Sequence, residues 1–271
     1  MSELNRITEC FNALKAEGRR ALIAYIVNGD PSQEVTLAAM ERLVDSGVDI
    51  IELGVPFSDP MAEGPVIQKA HERALVNNVS LRDTMHLVQT FREKNQNTPV
   101  VLMGYANPVE RMGYASFAEA ASKAGVDGLL TVDLPPEEAT ELNQELKVKG
   151  LEMIFLLAPT SSKERVKKVV DLAGGFIYYV SLKGVTGASN IDVAGVQQKL
   201  AEIRTETSLP IAVGFGIKDA QSAKAIGEHA EGVVVGSALV NIMAEGGDTA
   251  KLLDGLQSLG NSIRTALDEI K

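Results

Sequence analysis

Eight short runs rich in Val, Ile and Leu recur along the chain, and the stretches between them carry the polar, periodic pattern of helices. The runs fall at 22–27, 50–54, 100–104, 128–132, 152–157, 177–181, 211–213 and 232–235. Their near-continuous apolarity is what strands covered on both faces show, and such strands belong to parallel sheets. Helical patterns fill the intervals, at 35–46, 136–149, 162–172, 193–207 and 220–227 among others. Eight strand–helix alternations in a chain of 271 residues predict an α/β protein, a single (β/α)8 TIM barrel spanning 1–271. A doubly wound open sheet is the alternative arrangement of the same elements. No Ser/Gly-rich linker or shift in composition divides the chain.

Two additions to the plain repeat are expected. Residues 7–16 precede the first strand with an amphipathic helical pattern, suited to plugging the N-terminal mouth of a barrel. The interval between strands two and three holds two helical patterns, 66–77 and 81–94, so it carries one extra helix and leaves room for a long second loop.

Composition narrows the function. A hydrophobic share of 45% and a charged share of 23% are ordinary for a globular protein with a full core. The formal charge of −10 is spread along the chain and would repel a phosphate backbone, so neither a nucleic-acid partner nor a membrane surface is expected. The polar N-terminus and the lack of a long apolar run point the same way. Cys10 is the only cysteine, which excludes an internal disulfide and suggests the cytoplasm. His71, His86 and His229 never approach metal-ligand spacing, so no metal site is expected.

In a barrel the chemistry sits at the C-terminal ends of the strands. Glu52 lies near the end of strand two, on the same side as Ile50, and is placed toward the interior. Glu63 follows in a Gly- and Pro-rich loop. A carboxylate in a buried strand is costly without a task or a partner. Two carboxylates at one strand end suit proton transfer, although a structural ion pair of Glu52 with a nearby cation is the plainer reading. Tyr25, Tyr105, Asp133 and Tyr178 end other strands and are candidates for the same pocket, or for packing.

A phosphate site is the stronger signal. Strand six runs into Lys183-Gly-Val-Thr-Gly187, strand seven into Gly214-Phe-Gly216, and strand eight into Gly236-Ser-Ala. Glycine lets backbone N–H groups approach an anion closely, and a short helix after strand eight, with Ser237 as its N-cap, would add its N-terminus. Lys183 is a second-rank Schiff-base candidate and more simply a loop-anchoring side chain. Cys10 is expected to be inert core, and 161–168 the capped start of a solvated helix.

These residues resemble a known family. Glu52-Leu-Gly-Val-Pro-Phe-Ser-Asp-Pro60, Gly184-Val-Thr-Gly187, Gly214-Phe-Gly-Ile217 and Gly236-Ser-Ala238 are similar to the motifs of the tryptophan synthase α subunit. So are Asn28-Gly-Asp-Pro31 after strand one and Tyr105-Ala-Asn-Pro108 after strand three, and the likeness covers essentially the whole chain. The resemblance implies retro-aldol cleavage of indole-3-glycerol phosphate to indole and glyceraldehyde 3-phosphate. It implies no cofactor in this chain. It also implies a partner, the pyridoxal-phosphate-dependent β subunit, in an α2β2 heterotetramer. By the same resemblance Glu52 is the principal acid/base, Glu63 answers the indole N–H, and Tyr178 assists. Thr186 holds the loop carboxylate, Phe215 lies against the indole, and Gly187, Gly216, Gly236 and Ser237 hold the phosphate. Tyr25 and Tyr105 complete the expected substrate-binding set.

One position departs from the family pattern. Where that pattern has Asp, this chain has Glu63, which keeps the charge but moves the carboxylate by about 1.5 Å, one carbon–carbon bond. Misplacement by about 1 Å costs on the order of a hundredfold in rate. Two rival readings follow: a catalytically weakened subunit that mainly binds and activates the β subunit, and a barrel enzyme acting on another sugar phosphate.

Overall fold

The structure, a computed structural model, describes residues 4–181, 192–214 and 216–270. The strands are β1 (Ala21–Val27), β2 (Ile50–Gly54), β3 (Val100–Gly104), β4 (Gly128–Thr131), β5 (Glu152–Leu157), β6 (Ile177–Val180), β7 (Ile211–Gly214) and β8 (Gly232–Val235). They form a closed barrel in chain order, every neighbouring pair parallel, with β8 paired back to β1 through Ala21 and Gly232. The expected fold is the observed one, and the open sheet is excluded.

Each strand is apolar on both faces because each face meets a different core. Ile23, Ile50, Val101, Leu130, Ile154, Ala212 and Val234 point into the barrel. The alternate residues, among them Leu22, Ile51, Leu102, Leu129, Phe155, Val213 and Val233, point outward to the helices. Burying a side chain of this size stabilises the fold by about 1.5–3 kcal/mol, so both faces are strongly specified.

The helices up to β4 are α1 (Arg6–Glu17), α2 (Gln33–Asp45), α3 (Pro65–Val76), α4 (Leu81–Arg92), α5 (Ala106–Met112) and α6 (Tyr114–Ala124). Those after β4 are α7 (Thr140–Val148), α8 (Lys163–Leu172), α9 (Val193–Arg204), α10 (Ala220–Gly227), α11 (Ser237–Ala244) and α12 (Thr249–Asp268). As expected, α1 closes the N-terminal mouth: Ile7, Phe11 and Leu14 join the interior cluster, and Phe11 lies 5.7 Å from Phe176 ring to ring. Asn5 ties it there, since its side chain accepts from the Ile7 N–H while its amide donates to Asp127 O and Gly150 O at 2.9 and 2.8 Å. The extra helix between β2 and β3 is present as α3 and α4.

Some helices differ from the sequence reading. The pattern at 136–149 starts as a turn, with Glu138 and Ala139 donating to the carbonyls of Pro135 and Pro136, so the helix proper begins at Thr140. The β3–β4 interval holds α5 and α6, separated at Gly113, whose φ of 84° breaks the helical path. The twenty-residue α12 buries Leu252, Leu256, Ile263 and Leu267 and packs between α10 and α2, completing the outer ring. Gly236, not Ser237, is the cap residue of α11, with no side-chain cap bond, and Ser237 is its first helical residue.

Candidate active site

A cavity of about 470 Å³ opens at the C-terminal ends of the strands. Its walls are Tyr25 from β1, Met103 from β3, Leu156 from β5, Tyr178 from β6 and Val234 from β8, roofed by Glu63 and Gly64 of the loop after β2. Gly216, Lys218, Gly236, Ser237, Ala238 and Asn241 form its other side. A wider cavity of about 860 Å³ lies at the opposite end of the barrel beside α1, but Asp127 there is already engaged by Arg6 and Arg92 at 2.8 and 2.7 Å. The residues singled out from the sequence gather around the first.

Glu52 sits beneath this cavity. It pairs in register with Tyr25 on β1 and Val101 on β3, faces the interior and is 1% exposed. Neither carboxylate oxygen has a hydrogen-bond partner. No cation pairs with it among the described residues. Burial pushes its carboxyl up to about 8, and the charge of Glu63 adds to the rise. Glu63 is half-buried, lines the cavity, and is itself pushed up to about 7 by burial. The two carboxyls therefore share one low-dielectric space, where one of them readily keeps a proton near neutral pH.

The tyrosines separate into two tasks. Tyr25 and Tyr178 line the cavity, and burial followed by the two carboxylates holds both phenols well above their ordinary range, so both stay neutral. Tyr178 stands over Gly214, where any β-carbon would collide with its ring and hydroxyl. Tyr105 is placed elsewhere. It is 3% exposed, stacks on Phe57 at 4.7 Å, and its hydroxyl accepts from the Ala62 N–H at 3.0 Å. It pins the loop after β2 instead of lining the cavity. Asp133 likewise turns outward and accepts from the Ala106 N–H at the start of α5.

The turns after β7 and β8, which are neighbours in the barrel, form the other side of the cavity. Gly216 turns at a φ of 80°. The first intrahelical bond of α11 is donated by Val240, so the N–H groups of Ser237, Ala238 and Leu239 are left to other acceptors. Lys183, Thr186, Gly187 and Phe215 lie outside the described residues. Lys218 and Asn241 were not anticipated. Lys218 stands two residues past Gly216 and Asn241 one helical turn past Ser237, positions that only a cavity-facing loop and helix make meaningful. His71 was also missed. It lies on α3 at 1% exposure, where its Nδ1 accepts from the Phe57 N–H at 3.0 Å.

The loops around the rim are anchored on α3. Asp30, after β1, receives both Arg73 Nε and Nη2 at 2.6 and 2.7 Å, and Asn77 donates to the carbonyls of Gly29 and Pro31. Cys10, far from this rim, is half-buried against the interior cluster, and burial pushes its thiol up to about 12. Among the described residues no cluster of three or more His, Cys, Asp or Glu has the arrangement of a metal site, and no helix is long and apolar enough to cross a membrane.

Comparison with known proteins decides the family. The profile of the family described as "Tryptophan synthase alpha chain" matches residues 11–266. The chain belongs to that family. It is 61% identical over 242 residues to the tryptophan synthase alpha chain of Thioalkalivibrio sulfidiphilus, covering 89% of this chain and 91% of the relative. It is 54% identical over 266 residues to that of Nitrosococcus oceani, covering 98% of each. The crystal structure of tryptophan synthase subunit alpha from Legionella pneumophila str. Paris superposes with a TM-score of 0.91 at 43% identity, covering 99% of this chain and 100% of that one. A tryptophan synthase alpha chain is a lyase of the tryptophan biosynthetic route.

Proposed function

We propose that this chain cleaves indole-3-glycerol phosphate into indole and glyceraldehyde 3-phosphate, with Glu52 as the acid/base that moves the proton. The observation that carries this reading is a carboxyl without a partner, buried under a 470 Å³ cavity whose far rim presents free backbone N–H groups. A carboxyl near 8 is protonated at neutral pH and ready to donate.

The atoms balance with a single shuttle. Glu52 protonates the indole ring carbon that bears the side chain, generating an indolenine cation. The resulting carboxylate takes the proton of the adjacent side-chain hydroxyl as the carbon–carbon bond breaks, giving the aldehyde and restoring the acid. Glu63, over the cavity mouth, faces the ring nitrogen and answers its positive charge, and Tyr178 hydrogen-bonds the reacting hydroxyl. Gly216, Gly236 and Ser237 hold the phosphate through their N–H groups, while Gly187, Thr186 and Phe215 keep the roles that family membership implies. No cofactor is needed by this chain.

The same reading extends to assembly. The tip of the loop after β2 carries Met61 at 80% exposure, an apolar side chain costly to leave in water. That loop, with the Asn107-Pro108 turn at the start of α5, is the docking surface for the pyridoxal-phosphate-bearing β subunit in a cytoplasmic α2β2 heterotetramer. The test is indole release from indole-3-glycerol phosphate by the isolated chain, and again with β subunit present. Cleavage by the isolated chain that rises on adding β subunit is expected. Activation of the β subunit with no cleavage by this chain would overturn the assignment in favour of a binding role.

A further inference from the structure

One chain of hydrogen bonds around the loop after β2 has no part in the scheme above. The Phe57 N–H donates to His71 Nδ1 at 3.0 Å, so that nitrogen carries no proton. Burial depresses the imidazole to about 4, which keeps it neutral, and the proton of a neutral ring then sits on Nε2. Nε2 lies 3.5 Å from Tyr25 Oη. The imidazole N–H donates and the phenol oxygen accepts, so the phenol proton is turned away from α3.

Glu52 is the register neighbour of Tyr25 on β2, with its side chain on the same interior face. Tyr25 Oη reaches across to β2, 2.6 Å from where a β-carbon on Gly54 would stand. Gly54 is two residues beyond Glu52 and on the same face of the strand. The Tyr25 hydroxyl thus occupies the rim side of a carboxyl whose two oxygens have no partner. Glycine at 54 is what admits it.

We propose that His71 is a positioning residue of this lyase: through Tyr25 it aims a hydrogen-bond donor at the ionised form of Glu52, and it does so only while Phe57 keeps the loop after β2 against α3. The inference rests on Glu52 being the acid/base. Its consequence is that closing that loop and tuning the acid/base are one event. The titratable groups facing this point are Tyr25 from β1, Tyr105 after β3, Tyr178 from β6, Glu63 from the loop and His71 from α3. Arg73, further along α3, is taken by Asp30.

The experiment reads Glu52 directly, by 13C NMR titration of carboxyl-labelled protein, its resonance identified by its loss in Glu52→Gln. A donor to a carboxylate lowers its pKa, so Tyr25→Phe and His71→Leu should each raise that of Glu52 by about half a unit or more. The double variant should shift no further than Tyr25→Phe alone, because the two side chains act in series. The corresponding limb of the kcat/KM profile should move with it, and in His71→Leu, whose side chain does not line the cavity, KM should stay put. His71→Gln, whose amide can accept from Phe57 and donate to Tyr25, should restore most of the parental value and also serves where His71→Leu folds poorly. An unmoved Glu52 in either single variant, or shifts that add in the double variant, overturns the proposal. Full turnover by Glu52→Gln would instead overturn the acid/base assignment, and the two failures are read from different measurements.

Discussion

Glu52→Gln should separate activity from stability in opposite directions. Burial pushes this carboxyl up to about 8 in the folded state, against an ordinary value of 4.5. Between those values the folded chain keeps a proton that the unfolded chain has released, so stability is greatest below pH 4.5 and is lost as pH rises through 8. At about 1.4 kcal/mol per unit, the full difference is about 5 kcal/mol. About 1 kcal/mol of it is gone by pH 5 and nearly all by pH 9. Gln cannot titrate and fills nearly the same volume. Urea denaturation of parent and variant at pH 5, 7 and 9 should therefore show the variant gaining on the parent by about 4 kcal/mol from the lowest pH to the highest. Over the same range its indole release should fall by about 10²–10⁴-fold or more. Parallel stability curves would mean that Glu52 is solvated or paired in solution, and the argument for a poised acid would fail with them.

Other substitutions test the remaining parts of the site. Glu63→Asp retracts the carboxylate by about 1.5 Å and should raise kcat/KM toward the family geometry, up to on the order of tenfold; an unchanged or lower rate means the cavity already accommodates the longer side chain. Gly214→Ala should displace Tyr178 and cost about 1–3 kcal/mol of stability, with kcat/KM reduced in the folded protein; parental kinetics would show that Tyr178 is dispensable. Asp127→Ala leaves Arg92 buried without its carboxylate and should cost about 3–5 kcal/mol in denaturation, while kcat of the folded fraction is unchanged because the pair lies at the opposite end of the barrel. A fall in kcat at constant fold would contradict that separation.

Most of the barrel was legible because parallel strands buried on both faces leave unbroken apolar runs. The eight observed strands match the expected ones to within a residue at each end. Helices were read where a large apolar stripe repeats, as in α4 with Leu81, Met85, Val88 and Phe91. They were harder to see where the buried face is mostly alanine, as in α6 with Ala118, Ala121 and Ala124. In the site, Glu52 and the glycine turns at 216 and 236 were legible because a charged residue in a strand and glycine after a strand are both locally improbable. His71 had no such mark. It reads as an ordinary helix residue until α3 is folded across β1. Tyr105 shows the converse, a strand-end tyrosine whose hydroxyl the loop after β2 claims for the Ala62 N–H.

The order of residues, taken alone, determines the number of strands, which side chains alternate inward, and where the chain can turn, since each depends on neighbours a few positions away. It therefore placed Glu52 inside a barrel and the glycine turns at its rim. Only closure of the barrel decided that Glu52 lacks a partner among the described residues, that Glu63 lines the cavity above it, and that burial pushes their carboxyls up to about 8 and about 7. Desolvation is the sum of all the atoms packed around a group, and those atoms come from strands and loops far apart in the chain.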